Sequence, residues 1–196
     1  MKYLIYLYRI ISSFFWDIRY FVEYQIRLRA QYPNYANYAK SKLYPMYMKR
    51  GYAAKFIEPL ALKYCKGNGL DIGASIWPFK NARPIEDNDE ENAYQIKEKD
   101  NSVDFIFTSH LIEHLTEPKL AFKEWERVLK KDGVMFFYIP HPACEMWASD
   151  IMEYHEWDVE PLKLKKILEE FSNLEILEFS VLPDTYFSYH VVLKKA

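Results

Sequence analysis

Several polar residues that could do chemistry come directly after short apolar runs of strand length. Asp71 and Gly73 end the run LDIG. Ser109 and His110 follow SVDFIFT, and His141 follows VMFFYIP. Polar groups at the carboxyl ends of parallel strands meet at one edge of a sheet, where ligands bind. A carboxylate can accept hydrogen bonds from hydroxyl groups, glycine permits close backbone approach, and histidine can take up a proton near neutral pH.

The elements that would position these residues follow from the apolar pattern. The predicted helices are 52–64, 118–131 and 161–171. The second helix has Thr116 as its predicted cap, Pro118 in its first turn and Asp132-Gly133 at its end. A strand, this helix and a second strand form a βαβ unit, which requires parallel pairing. The segments 174–181 and 186–193 predict an antiparallel hairpin.

The charges divide the chain into two parts. Residues 1–55 carry ten Lys or Arg against Asp17 and Glu23, a net charge of +8, so the total of -2 leaves -10 for the rest. We therefore predict an amino-terminal, basic and aromatic appendage at 1–50 and a globular α/β domain at 51–196. Cys65 and Cys144 are far apart in sequence, which favours neither a disulfide scaffold nor a cysteine zinc site and suits a reducing cytoplasm.

Residues 1–30 predict one long amphipathic helix with a wide apolar face. No run reaches the ~20 apolar residues that a spanning helix needs, and no cleavage site follows the first apolar run. Two interpretations of the apolar face remain open. It binds an anionic membrane surface, which places the protein peripherally on the inner face of the membrane, or it packs internally or in a homodimer. We expect no nucleic-acid partner.

Three segments then carry a resemblance to a known family. LDIGAS at 70–75, NSVDFIFTSHLIEHL at 101–115 and EWERVLKKDG at 124–133 resemble, in this order, class I S-adenosylmethionine-dependent methyltransferases, particularly small members associated with surface-polysaccharide biosynthesis. The resemblance covers about residues 67–141. It implies a reduced, Rossmann-like sheet, mostly parallel with an antiparallel carboxyl-terminal hairpin. Only about thirty residues separate Asp71 from the next strand of the pattern, so we expect a shortened cofactor half.

The resemblance also implies the cofactor, S-adenosylmethionine, and the residues around it. Gly73 would permit close backbone approach, Glu86 and Asp87 would bind the ribose, and 93–96 would line the adenine slot. The predicted cofactor-binding residues are Asp71, Gly73, Ala74, Ser75, Glu86, Asp87, Tyr94, Gln95, Ile96, Ser109 and His110. Ser75 and Trp77 stand where the family usually has further glycines.

The implied reaction is methyl transfer to a small polar acceptor, most naturally a hydroxyl of a sugar or of a phosphate-bearing glycan precursor. Because a hydroxyl must lose its proton, His141 and His155 are the predicted catalytic bases. Two rival hypotheses stay open. A degenerate methyltransferase fold could serve as a scaffold that docks to a membrane or a partner. The spacing His110-x-x-Glu113-His114 also matches inverted zinc peptidases, which would make a metal-dependent hydrolase.

Those peptidases need a long helix and a third ligand from another helix. The sequence therefore predicts no metal in the site, and it keeps His110, Glu113 and His114, with a later histidine, as a weaker candidate.

Overall fold

The computed structural model describes residues 54–74, 78–88, 90–144, 147–150, 154–184 and 187–196. The predicted appendage at 1–50, its amphipathic helix and its charge pattern lie outside these residues. Within the described ranges, no helix is long and apolar enough to span a membrane.

Six strands form one sheet in the order β2-β1-β3-β4-β6-β5. The strands are β1 Gly69–Ile72, β2 Ala82–Ile85, β3 Val103–Ser109, β4 Leu129–Pro140, β5 Leu174–Phe179 and β6 Ser188–Lys195. The helices are α1 Ala54–Tyr64, α2 Pro118–Val128 and α3 Pro161–Leu168, and a single 3-10 turn spans Ile112–His114. The first four strands pair in parallel, and β6 pairs antiparallel with both β4 and β5. The predicted fold class is therefore confirmed.

Helix α2 forms because its apolar residues recur at helical spacing. Ala121, Phe122, Trp125 and Val128 are buried, and Pro118 occupies the start of the helix, where its missing N–H costs nothing. The prediction that Thr116 caps this helix was wrong. The N-cap residue is Glu117, and its side chain makes no capping hydrogen bond.

The predicted end of α2 was also wrong. The helix stops at Val128 because Leu129, which is fully buried, already pairs with Val103 in the sheet. Asp132 and Gly133 consequently lie within β4. Asp132 has a positive φ of 62° and forms an ion pair with Lys194 of β6 at 2.6 Å, so it shapes the strand pair and does not end a helix.

The sheet has a buried side-chain layer on each face. On one face, α2 and α3 pack over a large apolar cluster that includes Trp125, Leu164 and Phe137. On the other face, Phe107 stacks between Phe79 and Phe136, with ring centroids 4.2 and 5.8 Å away. Adjacent residues of β4 thus serve opposite faces, as the twofold alternation of a strand requires.

The first part of the sheet is short. β1 and β2 have four residues each, and only residues 73–81 connect them, fewer than a helical crossover needs. Between β1 and β3, the described residues contain no helix. The expectation that this part of the fold is shortened is confirmed, and loops follow both β1 and β2.

Candidate functional site

A cavity of about 170 Å³ lies at the carboxyl ends of β1, β2 and β3. It is lined by Ile72, Gly73, Ile85, Glu86, Asp87, Asn92, Ala93, Tyr94, Leu111, His114 and Leu115. The set combines a strand-end turn, acidic residues after the neighbouring strand and an aromatic loop residue. This is the edge of a parallel sheet at which ligands bind.

Gly73 forms the turn at the end of β1. Its φ is +80°, a left-handed conformation that side chains rarely adopt, and its N–H donates to the carbonyl of Ile85 at 2.9 Å. A Cβ built here would lie 3.0 Å from Cδ1 of Leu111. The cavity therefore depends on a glycine at this position.

Asp71 holds the loop that follows this turn. Its side chain is buried, and its Oδ2 accepts a hydrogen bond from the N–H of Phe79 at 2.6 Å. Burial raises the pKa of Asp71 to about 7, although the hydrogen bond from Phe79 opposes the shift. Asp71 is absent from the cavity lining, so the structure shows it ordering the loop between β1 and β2.

The acidic loop after β2 divides into two groups. Glu86 and Asp87 are exposed and line the cavity. Glu90 instead pairs with Lys97 at 2.6 Å, and Glu91 pairs with Arg83 at 2.7 Å. These ion pairs fold the loop on itself, which leaves Glu86 and Asp87 as the described acids that face the cavity. Asp89 lies outside the described residues.

Helix α2 fixes the loop around Tyr94 through its polar side chains. Trp125 donates its indole N–H to the carbonyl of Ala93 at 2.8 Å, and Glu124 accepts from the N–H of Ile96 at 2.8 Å. Arg127 donates to the carbonyl of Ile96 at 2.9 Å and also pairs with Glu124. The sequence analysis missed this function of the helix. The signal was a Glu and an Arg three residues apart beside a buried Trp.

Of the other predicted cofactor-binding residues, some line the cavity and some do not. Tyr94 lines the cavity, and its hydroxyl lies 3.2 Å from the hydroxyl of Thr116. Ile96 belongs to the apolar core, and Gln95 is exposed. Ala74 is buried beside the turn, outside the cavity lining, and Ser75 lies outside the described residues.

Ser109 and His110 are also absent from the cavity lining. His110 has a φ of +52°, and its Nε2 is hydrogen-bonded to Oγ of Ser188 at 3.0 Å. Its ring packs edge-on against Tyr138 and Trp147. Burial lowers the pKa of His110 well below its usual value. The structure therefore places this imidazole beside β4 and β6.

A buried carboxylate lies next to the cavity, in the 3-10 turn. Glu113 is 1% exposed, and neither of its carboxylate oxygens has a hydrogen-bond partner among the described residues. Its Oε1 lies 3.6 Å from Nδ1 of His110 and 3.8 Å from Nε2 of His114. Burial raises the pKa of Glu113 to about 8. Since buried carboxylates normally have partners, this arrangement requires an explanation.

The two predicted bases differ in their surroundings. His141 donates from Nε2 to the carbonyl of Val181 at 3.1 Å, while its Nδ1 accepts from the N–H of Ala143 at 3.0 Å. His155 donates a hydrogen bond from Nδ1 to the carbonyl of Trp147 at 2.7 Å. The centroid of its ring lies 4.8 Å from that of His114. Burial lowers the pKa of His155 to about 4. His155 adjoins Glu113, whereas His141 binds the backbone near β6.

Comparison with known families identifies the segment that carries the cavity. Residues 51–137 match the model of a family described as a methyltransferase domain. This segment matches a methyltransferase domain. It includes β1 to β3, α2, the cavity lining and Glu113. The domain match and the fold together support an S-adenosylmethionine-dependent methyltransferase. No curated protein matches the chain.

Solved structures of other proteins share the fold of this chain. A methyltransferase of Thermotoga maritima, described as a possible histamine N-methyltransferase, is 16% identical, with a TM-score of 0.51 over 79% of this chain and 95% of its own. One from Archaeoglobus fulgidus is 16% identical, with a TM-score of 0.54 over 78% and 99%. One from Haloferax volcanii, in complex with the activator Trm112, is 13% identical, with a TM-score of 0.54 over 83% and 97%.

Proposed function

We propose that the protein transfers a methyl group from S-adenosylmethionine to a hydroxyl of a sugar or of a phosphate-bearing glycan precursor. The observation that carries the proposal is the cavity in which Gly73, Glu86, Asp87 and Tyr94 meet at the carboxyl ends of three parallel strands. An adenosine with a ribose diol needs such a turn, such acids and such an apolar wall.

The residues present fit one end of the cofactor. The left-handed Gly73 leaves room that a Cβ would fill, and the volume of about 170 Å³ suits the nucleoside better than the whole molecule. In this proposal, Glu86 and Asp87 accept hydrogen bonds from the ribose hydroxyls. Tyr94 and Leu111 provide the wall for the base. When bound, the cofactor supplies an electrophilic methyl group on a sulfonium.

The acceptor side of the proposal involves the histidines. Methyl transfer is an in-line displacement, so the protein aligns the acceptor oxygen and provides for its proton. His141 and His155 are the proposed bases. The geometry favours His155, because both ring nitrogens of His141 already bond to the backbone. His155 also lies next to His114, which lines the cavity.

The sugar class and the location of the protein are further parts of this proposal. Their support is the resemblance in sequence and the net charge of +8 over residues 1–55, which suits an anionic lipid surface or a phosphorylated acceptor. In this proposal the protein acts peripherally on the inner face of the membrane. A homodimer that covers the apolar face of residues 1–30 is the alternative.

Titration of the full chain with S-adenosylhomocysteine tests the cofactor site. We expect Glu86→Gln combined with Asp87→Asn to weaken binding at least tenfold, since two carboxylates that face the cavity are removed. Glu90→Gln is the matched control, because Glu90 pairs with Lys97 outside the cavity lining, and it should bind like the parent. Absence of binding by the parent protein, or equal affinity in all three proteins, would overturn the proposed site.

A further inference from the structure

Glu113, His114 and His155 form a cluster beside the cavity, and we infer that it binds a divalent transition-metal ion of the zinc type. One potential ligand atom from each residue lies within 4.8 Å of the others. Four-coordinate zinc, with bonds of about 2.1 Å, requires ligand atoms roughly 3.3 Å apart. Side-chain shifts of about 1 Å would close the cluster around an ion.

Both histidines are prepared as ligands by their hydrogen bonds. Nδ1 of His114 lies 2.7 Å from the carbonyl of Tyr154, and Nδ1 of His155 lies 2.7 Å from the carbonyl of Trp147. A carbonyl only accepts, so each Nδ1 must carry the proton, and each Nε2 keeps its lone pair. Metal-binding histidines typically donate their second ring N–H to such a carbonyl.

Glu113 provides the independent reason to expect a cation. Its carboxyl group is buried and lacks hydrogen-bond partners in the part of the chain that the structure describes, and a buried carboxylate without a partner is costly unless a positive charge is present. The backbone contributes to the arrangement, because the N–H of Glu156 donates to the carbonyl of Glu113 at 2.8 Å. This bond fixes the loop that carries His155 against the 3-10 turn.

The donor set indicates the class of ion. Two imidazoles and one carboxylate suit zinc and related transition metals, whereas magnesium and calcium prefer oxygen ligands. Three protein ligands leave a fourth position for water or for an oxygen of another molecule. Because the side chain of His114 is 38% exposed and also lines the cavity, that position can be reached from the cleft.

This role differs from the base role proposed for His155. A zinc ion held there would lower the pKa of a bound hydroxyl directly, without transfer of its proton to an imidazole. The metal site does not depend on the methyl acceptor being a sugar, and it can be measured in the absence of any acceptor.

The test is calorimetric titration of the full chain with Zn²⁺, after removal of metals by a chelator. We expect one zinc per chain, no binding of Mg²⁺ at the same site, and at least a tenfold weaker zinc affinity for His114→Ala and for Glu113→Gln. His190→Ala is the matched control. His190 also pairs with a glutamate, Glu178 at 2.9 Å, but it lies outside the cluster.

Circular dichroism and S-adenosylhomocysteine binding on the same samples show whether each variant has folded. Glu113→Gln preserves side-chain volume, and His114 is exposed, so these two variants keep the test valid if His155→Ala fails to fold. Absence of stoichiometric zinc binding by the parent would overturn the inference, as would equal affinities of the parent and the folded cluster variants. A parent protein that binds zinc but does not bind S-adenosylhomocysteine would refute the proposed function and leave the metal site standing.

Discussion

The cavity and the cluster of Glu113, His114 and His155 beside it are built in different ways. On the side where we propose that the cofactor binds (the cofactor side), two four-residue strands and their loops provide a left-handed glycine and exposed acids. On the histidine side, the 3-10 turn and the loop of His155 bring a buried carboxylate and two imidazoles together. An exposed charge keeps its hydration and costs little free energy, whereas a buried charge is costly unless a partner compensates it. The cofactor side therefore depends on the shape of the backbone, whereas the histidine side depends on the chemistry of its buried side chains.

The largest effect should come from adding a side chain at Gly73, in the turn after β1. Gly73→Val should abolish detectable binding of S-adenosylhomocysteine, since a Cβ here meets Leu111 and the φ of +80° is strained for valine. Equilibrium titration measures the affinity, and circular dichroism checks that the fold survives. A folded Gly73→Val protein with parental affinity would show that backbone shape does not determine this side.

Asp71 should produce the next largest effect, on stability as a function of pH. Its folded-state pKa of about 7 lies above its ordinary value of 3.8, so the folded protein holds a proton that the unfolded chain releases. The free energy of unfolding should therefore fall as pH rises from 4 to 7, by roughly 3 kcal/mol.

Asp71→Asn cannot ionise, and its side-chain oxygen can still accept from Phe79. Urea unfolding at pH 4, 5.5 and 7 should therefore show a smaller decrease for this variant than for the parent. Identical pH dependence in the two proteins would mean that Asp71 is ionised in the folded state.

On the histidine side, His155→Ala should lower turnover by about 10² with cofactor affinity nearly intact. His141→Ala should cost less, because its ring bonds to backbone on both nitrogens. If His155 acts as a base, His114→Ala should retain more activity than His155→Ala. If it acts as a metal ligand, the two variants should lose activity together. Full turnover in the double variant of His141 and His155 would exclude both bases.

The smallest effect concerns the loop around Tyr94, which α2 holds through hydrogen bonds. Arg127→Met removes hydrogen bonds to the carbonyls of Ile96 and Glu98, which should cost about 1 to 2 kcal/mol of unfolding free energy. Arg83→Met is the matched control, since it removes surface ion pairs with Glu91 and Glu98 and should cost less than about 1 kcal/mol. Chemical denaturation compares the two, and equal losses would contradict a special role for α2.

The sequence predicted five of the six strands, because their apolar runs are short, dense and bounded by turn residues. Strand β2 has no such run, since Arg83 and Pro84 at its centre are exposed. It placed the end of α2 incorrectly, since the switch from helix to strand at Leu129 depends on pairing with Val103, a contact that local pattern does not contain. The antiparallel hairpin was predictable, and the structure places its second strand against β4 as well.

The sequence could name the cavity residues that belong to short local motifs. Gly73 was named from the end of an apolar run, Glu86, Asp87 and Tyr94 were named from the resemblance to the family, and all four line the cavity. For the cluster of Glu113, His114 and His155, the sequence named the first two with an unspecified later histidine and also included His110, which the structure leaves out of the group. Its third member lies about forty residues from the turn, and its position depends on the hydrogen bond between Glu156 and Glu113.

The position of β6 in the sheet has a consequence for how the chain is made. β6 lies between β4 and β5 but follows both in sequence. During synthesis, β5 leaves the ribosome before the strand that joins it to the sheet exists. The nascent chain must therefore carry β5 and the apolar edge of β4 uncovered until β6 emerges, an interval in which chaperones or neighbouring chains can bind these edges. Completion of the sheet therefore waits for β6, the last of the six strands in sequence.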